Sequence, residues 1–380
     1  MKQKRLWMVG VVVLGASIFI FIHTGDRVNA YFSTVKLQFL AKYAQSYYLY
    51  DIDEEAGFEE IYGGYLDGLE NSMTYYLEKE DLKAAKIQFE GEYFGTGLKL
   101  VWSMESHALI IVDVVKGSMA EEKGLQIGDL ITEIDKVPVL PTNGQQLISK
   151  ATSNIEEMTE YVIKRDDLSW KVELMPTKVV IEDVTWELVD DVLYIKLHTI
   201  KEGTSAKVNE ILKATDFKEC KGLILDVRDL MTHQIEEVAK LSDLFLDSGI
   251  AFKVRTKAYG VRDFEMSEDA YEMPMVMITN SETLGGTEAL VLALKERVTL
   301  LGSNTGGLHY IQDIISFDDD TGMSVAVGKI CDRYGKELDQ DGVSPSIRLY
   351  LDEKEILNKL EHGYLGKKED DYLQHALTLF

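Results

Sequence analysis

Gly222-Leu223-Ile224-Leu225-Asp226-Val227-Arg228 is the stretch on which the fold turns. It is continuously apolar up to Asp226, with no alternation of polar and apolar positions. A strand buried on both faces reads this way, and such strands belong to sheets covered by helices on either side. Outward from it, Met275-Val276-Met277-Ile278-Thr279 is a second buried strand. Val192-Leu193-Tyr194-Ile195-Lys196-Leu197 and Val298-Thr299-Leu300-Leu301 are two more. Residues 204–214, 235–245 and 285–295 lie between them and read as helices. This strand–helix alternation predicts an α/β sheet over residues 178–350, with its chemistry in loops at the strand carboxyl ends. Residues 351–380 return to helix, with Leu373, Leu377 and Phe380 on one side.

Residues 91–177 have a different period. Leu98-Lys99-Leu100-Val101-Trp102, Ala108-Leu109-Ile110-Ile111-Val112, Leu130-Ile131-Thr132-Glu133-Ile134-Asp135, Tyr161-Val162-Ile163-Lys164-Arg165 and Trp170-Lys171-Val172-Glu173-Leu174 are short strands between polar turns. Ser118 opens a short helix as its N-cap, acids follow in the first turn, and Gly124 ends it. A second helix is expected over residues 145–152. Upstream, residues 31–90 read as helical. Val35, Leu37, Phe39, Leu40, Tyr43, Ala44, Tyr47 and Tyr48 recur at spacings of three and four, and Ile61, Tyr62, Tyr65, Leu66 and Leu69 do the same. Burial in a packed helical pair is the expectation for these aromatics.

At the amino terminus Lys2, Lys4 and Arg5 precede an uninterrupted apolar run over residues 6–22. As a helix this run is about 25 Å long, near the lower limit for a bilayer span. Positive charge before it holds that end in the cytoplasm and places the main body outside the cell membrane. Val28-Asn29-Ala30 has the small residues of a cleavage site. The run is long for a signal peptide, which favours a retained single-pass anchor over residues 1–30; either reading exports the rest. The net charge of −25 over 380 residues excludes a nucleic-acid partner, since a phosphate backbone would be repelled. The two cysteines, Cys220 and Cys331, have no metal-ligand spacing, and a disulfide between them stays open. No metal or cofactor is expected; Asp318-Asp319-Asp320 reads as a solvated turn.

Residues 91–177 resemble a PDZ domain of the C-terminal processing (tail-specific) peptidases. The resemblance rests on Gly95-Thr96-Gly97-Leu98, Ser118-Met119-Ala120-Glu121-Glu122-Lys123-Gly124-Leu125, Gly128-Asp129-Leu130-Ile131 and Ile134-Asp135. It extends over residues 35–380 through Asn71-Ser72-Met73-Thr74-Tyr75-Tyr76-Leu77, the 222–228 strand, Asp341-Gly342-Val343-Ser344-Pro345-Ser346-Ile347 and Asp371-Tyr372-Leu373-Gln374-His375-Ala376-Leu377. It implies a multidomain α/β (α+β) chain: transmembrane helix, helical leader, PDZ domain, ClpP/crotonase-like protease core over 178–350 and a terminal helix. Small residues at 95 and 97 let backbone N–H groups converge on a carboxylate. Tyr93, Phe94, Gly95, Thr96, Gly97 and Leu98 are therefore the expected peptide-binding residues. A protein tail would add as a strand beside residues 98–101. The resemblance also implies dimers or larger assemblies, with itself or with a homologue.

Active members of that family pair a Ser nucleophile with a Lys base. In Asn280-Ser281-Glu282-Thr283-Leu284-Gly285-Gly286-Thr287-Glu288, aligned on Asn280 and Glu288, the nucleophile position is Gly285. In Thr305-Gly306-Gly307-Leu308-His309-Tyr310-Ile311-Gln312, aligned on Thr305 and Gln312, the base position is Leu308, and Gln312 is retained. The family's Asn-Pro-Gly-Gly loop, which supplies oxyanion donors worth ~3 kcal/mol each, is replaced by Asp229-Leu230-Met231-Thr232-His233. These three losses predict a binding protein without catalytic residues. The alternative is a serine-type endopeptidase using displaced groups, with Thr287 and His309 as a hydroxyl–imidazole pair.

Overall fold

The computed structural model describes residues 25–104, 106–152, 156–215, 219–267, 269–349 and 370–380. The chain divides into two compact units, residues 1–70 and 71–380. The apolar run at 6–22 and most of the 351–380 segment lie outside the described residues. No helix among the described residues is long and apolar enough to cross a membrane.

The first unit contains α1 (Gly25–Tyr47) and α2 (Glu54–Asp67). The Asp53 side chain caps α2 by accepting from the Ala56 N–H at 3.1 Å, and Glu54 and Glu55 sit in the first turn, where the helix dipole favours acids. Phe39, Tyr43 and Tyr47 follow one another along α1, with ring centroids 5.9 and 4.6 Å apart. They lie on exposed surface, and between residues 33 and 70 only Leu66 is buried. The expected burial of this aromatic stripe is corrected: helical spacing defines a face but supplies nothing to cover it. Residues 71–90, expected to be wholly helical, belong to the second unit and form β1 (Tyr75–Leu77) and α3 (Lys79–Phe89).

The PDZ region runs β2 (Tyr93–Gly95), β3 (Leu98–Ser103), β4 (Ala108–Val114), α4 (Met119–Glu122), β5 (Leu130–Ile134), β6 (Val137–Pro138), α5 (Gly144–Ala151), β7 (Thr159–Arg165), β8 (Leu168–Leu174) and β9 (Thr177–Val179). Its sheet has the order β3-β4-β5-β7-β8, with β6 paired to β5. Alternate residues Leu109, Ile111, Ile131, Ile163 and Leu174 point into one core with Leu147 of α5. Ser118 caps α4 by accepting from the Glu121 N–H at 3.3 Å. Asp129 of the Gly-Asp turn is buried and held by Arg165 at 2.5 and 2.7 Å. β2 and β9 pair antiparallel and so close the entry and exit of the domain on each other.

The core continues with β10 (Val184–Val189), β11 (Val192–Leu197), α6 (Thr204–Ala214), β12 (Gly222–Asp226), β13 (Met231–Thr232), α7 (Ile235–Asp243), β14 (Gly249–Thr256), β15 (Gly260–Met266), β16 (Met275–Thr279), β17 (Leu284–Gly285), α8 (Gly286–Leu294), β18 (Thr299–Gly302), β19 (Tyr310–Ser316), β20 (Gly322–Asp332), β21 (Ile347–Arg348) and α9 (Asp371–Leu377). The main sheet has the order β10-β11-β12-β16-β18-β21, parallel except for the β10–β11 pair. Leu223 and Leu225 pack on one face with Val208, Val238 and Leu241 from α6 and α7, and Ile224 packs on the other with Leu373 and Ala376 of α9. Burial of both faces is why the 222–226 run shows no alternation. A second sheet, of order β1-β20-β14-β15 with β19 on β20, was not foreseen. Its strands mix buried and exposed positions: Ala251, Phe252 and Val254 of β14 enter the core, whereas Gly260 to Asp263 of β15 are all exposed, so no long run buried on both faces announces them. Cys220 and Cys331 are free thiols.

Candidate functional site

The chain leaves β16 at Thr279 and turns before α8. Thr283 Oγ1 accepts from the Asn280 N–H at 3.1 Å and donates to the Val227 carbonyl at 2.9 Å. Asn280 Oδ1 accepts from the Asp229 N–H at 3.0 Å. These bonds tie the turn to the loop after β12, where β13 and β17 pair in parallel with Thr232 beside Gly285. Gly285 is the N-cap of α8, with φ 59° and ψ −129°. Only glycine enters this region at little cost. A Cβ at 285 would stand 3.1 Å from the Thr232 carbonyl oxygen, 3.9 Å from Met231 Cγ and 4.0 Å from Leu308 Cδ2. Positions 285 and 308, singled out by the sequence, are therefore brought face to face, although they are 23 positions apart in the chain. The backbone atom nearest that Cβ is a carbonyl acceptor, and the Asp229 N–H is already engaged. An oxyanion needs donors in this place.

Glu288, one turn into α8, is fully buried and holds the arrangement together. Its carboxylate accepts from Gly285 N–H at 3.2 Å, Thr305 Oγ1 at 2.5 Å and Gly307 N–H at 2.7 Å. Burial pushes its pKa up, and these hydrogen bonds work against that rise. The clamp joins the 285 turn to the 305–308 loop, and it emerged only from the structure. Its sequence signals are Glu288 and Thr305, whose spacing from positions 285 and 308 does not reveal that they bond each other.

No hydrogen bond joins Thr287 to His309 among the described residues. Thr287 Oγ1 is buried without a hydrogen-bond partner, while His309 Nδ1 lies 2.9 Å from the Gly307 carbonyl oxygen and its ring tilts against Tyr310. Gln312 Nε2 donates to the Met73 carbonyl at 3.1 Å and to Ser324 Oγ at 2.9 Å, which ties β19 to β20 and to the segment before β1. Asp319 accepts from Thr321, and Asp320 pairs with Lys79 at the exposed surface, so the 318–320 acids form a turn.

A cleft of about 640 Å³ is lined by Leu284 and Leu308, beside the 285 turn. Met231, Leu284, Leu308, Phe89, Tyr93 and His233 are among its walls. The His233 ring stacks on Phe89 with centroids 5.0 Å apart, and burial pulls its pKa down to about 4. His198, also in the wall, is lowered by burial and by Lys196. Burial thus favours the neutral form of both rings, and Met231, Leu284 and Leu308 bring apolar side chains to the cleft wall near position 285.

The expected tail-binding loop lies in the PDZ region, at the edge of its sheet. Phe94, Gly95, Thr96, Gly97 and Leu98 are buried, and Tyr93 is half-buried. Thr96 Oγ1 donates to the Ala151 carbonyl at 3.4 Å, joining the loop to the end of α5. The Thr96 and Gly97 carbonyls accept from Ala120 and Val115 at 3.2 and 2.9 Å. β3 follows and is paired on one side only, by β4.

Residues 191–349 match peptidase family S41, and residues 110–162 match the PDZ domain. The chain is 22% identical over 354 residues to the carboxy-terminal processing protease CtpA of Bacillus subtilis (strain 168), covering 91% of this chain and 73% of that one. It is 21% identical over 350 residues to the "Probable CtpA-like serine protease" of Staphylococcus aureus (strain COL), covering 88% and 68%. The structure of the photosystem II D1 C-terminal processing protease superposes with a TM-score of 0.55 at 21% identity, over 84% of this chain and 90% of that one. With a PDZ domain set ahead of an S41 core, the chain is a member of the C-terminal processing peptidase family.

Proposed function

We propose that this protein is a membrane-anchored, extracytoplasmic pseudoprotease that captures protein C-termini through its PDZ domain and holds extended segments in the S41 cleft without cutting them. The observation that carries the reading is Gly285 opposite Leu308. Acyl transfer needs a nucleophile and a base within hydrogen-bond reach, and this pair offers a hydrogen atom and an isobutyl group. The nearby hydroxyls do not replace them. Thr283 is spent on a backbone carbonyl, and Thr287 has no base. The anchor is the 6–22 run, and its flanking cations place the main body outside. Self-association, or pairing with a catalytic homologue, completes the reading.

The test is a paired assay on the purified full chain. Unfolded casein and a panel of C-terminal peptides are incubated with it, and cleavage and binding are recorded together. Binding of free-carboxylate tails with no cleavage, lost when the tail is amidated, is the expected result. Turnover by the purified protein overturns it and installs the endopeptidase reading. Carbonate-resistant recovery in the membrane fraction, abolished by deleting residues 1–24, tests the anchor. Light scattering tests the assembly.

A further inference from the structure

The tail-binding loop is already occupied by a side chain of its own. Tyr93 folds back so that its hydroxyl oxygen accepts from the Gly97 N–H at 3.0 Å. Gly97 lies in the middle of the stretch whose N–H groups would meet a tail carboxylate. The close lie of the phenol depends on Gly95, where a Cβ would stand 2.6 Å from the Tyr93 hydroxyl oxygen and 2.9 Å from its Cζ. Gly97, at φ 95°, is equally confined, since a Cβ there would stand 2.0 Å from Ser118 Oγ. The two glycines thus form a backbone cradle in which an oxygen atom is seated, and that oxygen belongs to this chain. Burial pushes the Tyr93 hydroxyl upward in pKa, so it stays protonated and neutral at pH 7.

We propose that Tyr93 is a built-in cap on the tail-carboxylate cradle, so that an incoming protein C-terminus binds only by displacing the phenol from the Gly97 N–H. This rests on the tail-capture reading above and adds its regulation. Carboxylate and phenol oxygen compete for one donor. The carboxylate wins because a charged acceptor makes a stronger hydrogen bond than a neutral one, but its affinity is reduced by the bond it must break. An amidated tail has only a neutral oxygen to offer and gains nothing over the phenol. The cap therefore sharpens selection for free carboxylates over internal or amidated segments. The cleft that Tyr93 already lines gives the released ring room to move.

The experiment compares the full-length protein with Tyr93→Phe and Tyr93→Leu. Fluorescence polarisation measures binding of a decapeptide ending in a free apolar residue and of its C-terminally amidated twin. Melting curves confirm that each variant is folded, and Tyr93→Phe keeps the ring if Tyr93→Leu does not fold. The expected result is about fivefold tighter binding of the free-carboxylate peptide by Tyr93→Phe, the worth of one neutral hydrogen bond. Binding of the amidated peptide should gain far less, and Gly97 amide hydrogen exchange should be faster in the unliganded variant. Equal or weaker binding by the variants overturns the cap while tail capture stands. If none of the three proteins binds the free-carboxylate peptide, tail capture itself falls, and the cap falls with it.

Discussion

At position 285 the absence of a side chain suits the backbone conformation. With φ 59° and ψ −129°, the backbone holds a conformation that costs an L-residue about 1–3 kcal/mol. Replacing Gly285 by Ser is expected to lower urea-unfolding stability by roughly that amount; a variant as stable as the parent would contradict the geometry. Adding Leu308→Lys to Gly285→Ser should still give no casein turnover, because the Thr232 carbonyl faces the turn and the Asp229 N–H is engaged. Appearance of turnover would show that oxyanion donors are present after all. His233 makes a separate prediction. Its ring is neutral in the fold, with a pKa lowered by burial to about 4, while the unfolded chain takes up the proton near 6.5. Stability is therefore complete above pH 6.5 and is lost as pH falls toward 4, by on the order of 2 kcal/mol for this half-buried ring. Denaturation midpoints at pH 7 and pH 4.5 should converge for His233→Gln relative to the parent. An unchanged slope would remove His233 as the cause.

At the scale of elements, α8 is more than a cover for the sheet. Its Glu288 carries the only side chain that bonds both the 285 turn and the 305–307 loop among the described hydrogen bonds. Glu288→Ala would leave three inward-facing donors without their acceptor. Roughly 3 kcal/mol of lost stability is expected, with a cleft that loses its shape before the PDZ domain unfolds. Hydrogen exchange resolved by segment checks this: protection should fall first over residues 284–308, and uniform loss across the chain would count against a local clamp. In the PDZ region, the expected strand and helix boundaries over residues 91–177 agree with the observed elements to within about two residues. Their caps, turns and alternation are local. β14, β15, β19 and β20 carry no continuous buried run, and although β14–β15 and β19–β20 are local hairpins, the sheet exists only through the long-range pairing of β14 and β1 with β20.

Across the whole second unit, a buried ion network fastens the terminal helix to the sheet. Asp226, at the end of β12, is fully buried and accepts from Arg228 and from the Tyr194 hydroxyl at 2.7 Å. Arg228 also reaches Asp370, the N-cap of α9, at 2.6 Å. Burial pushes the Asp226 carboxyl up, but the guanidinium outweighs it and holds the group below the ordinary carboxylate range. The pair's contribution is thus present at neutral pH and is lost as pH falls through that depressed pKa. Arg228→Met should cost about 3–5 kcal/mol at pH 7, since it leaves a buried charge unpaired. The deficit should shrink toward pH 4.5, where the unpaired Asp226 takes up a proton. A deficit independent of pH would mean that lost packing on Tyr372, not charge, dominates.

What the sequence by itself determined is what local patterning can encode. The 222–226 strand, the strand–helix alternation around it, the PDZ segments and the identity of the residues at 285 and 308 were all legible in runs of a few residues. Their spacing against fixed neighbours such as Asn280, Glu288 and Thr305 was enough to single out positions 285 and 308. The tertiary structure alone decided that Gly285 and Leu308 face each other, that Glu288 joins their loops, that the aromatic stripe of α1 is left exposed, and that Tyr93 sits over Gly97. The reason is physical. Periodicity reports which face of an element is apolar, but a contact between side chains on different elements depends on how the chain returns, and even the four-residue step from Tyr93 to Gly97 is set by a loop whose path the rest of the domain imposes.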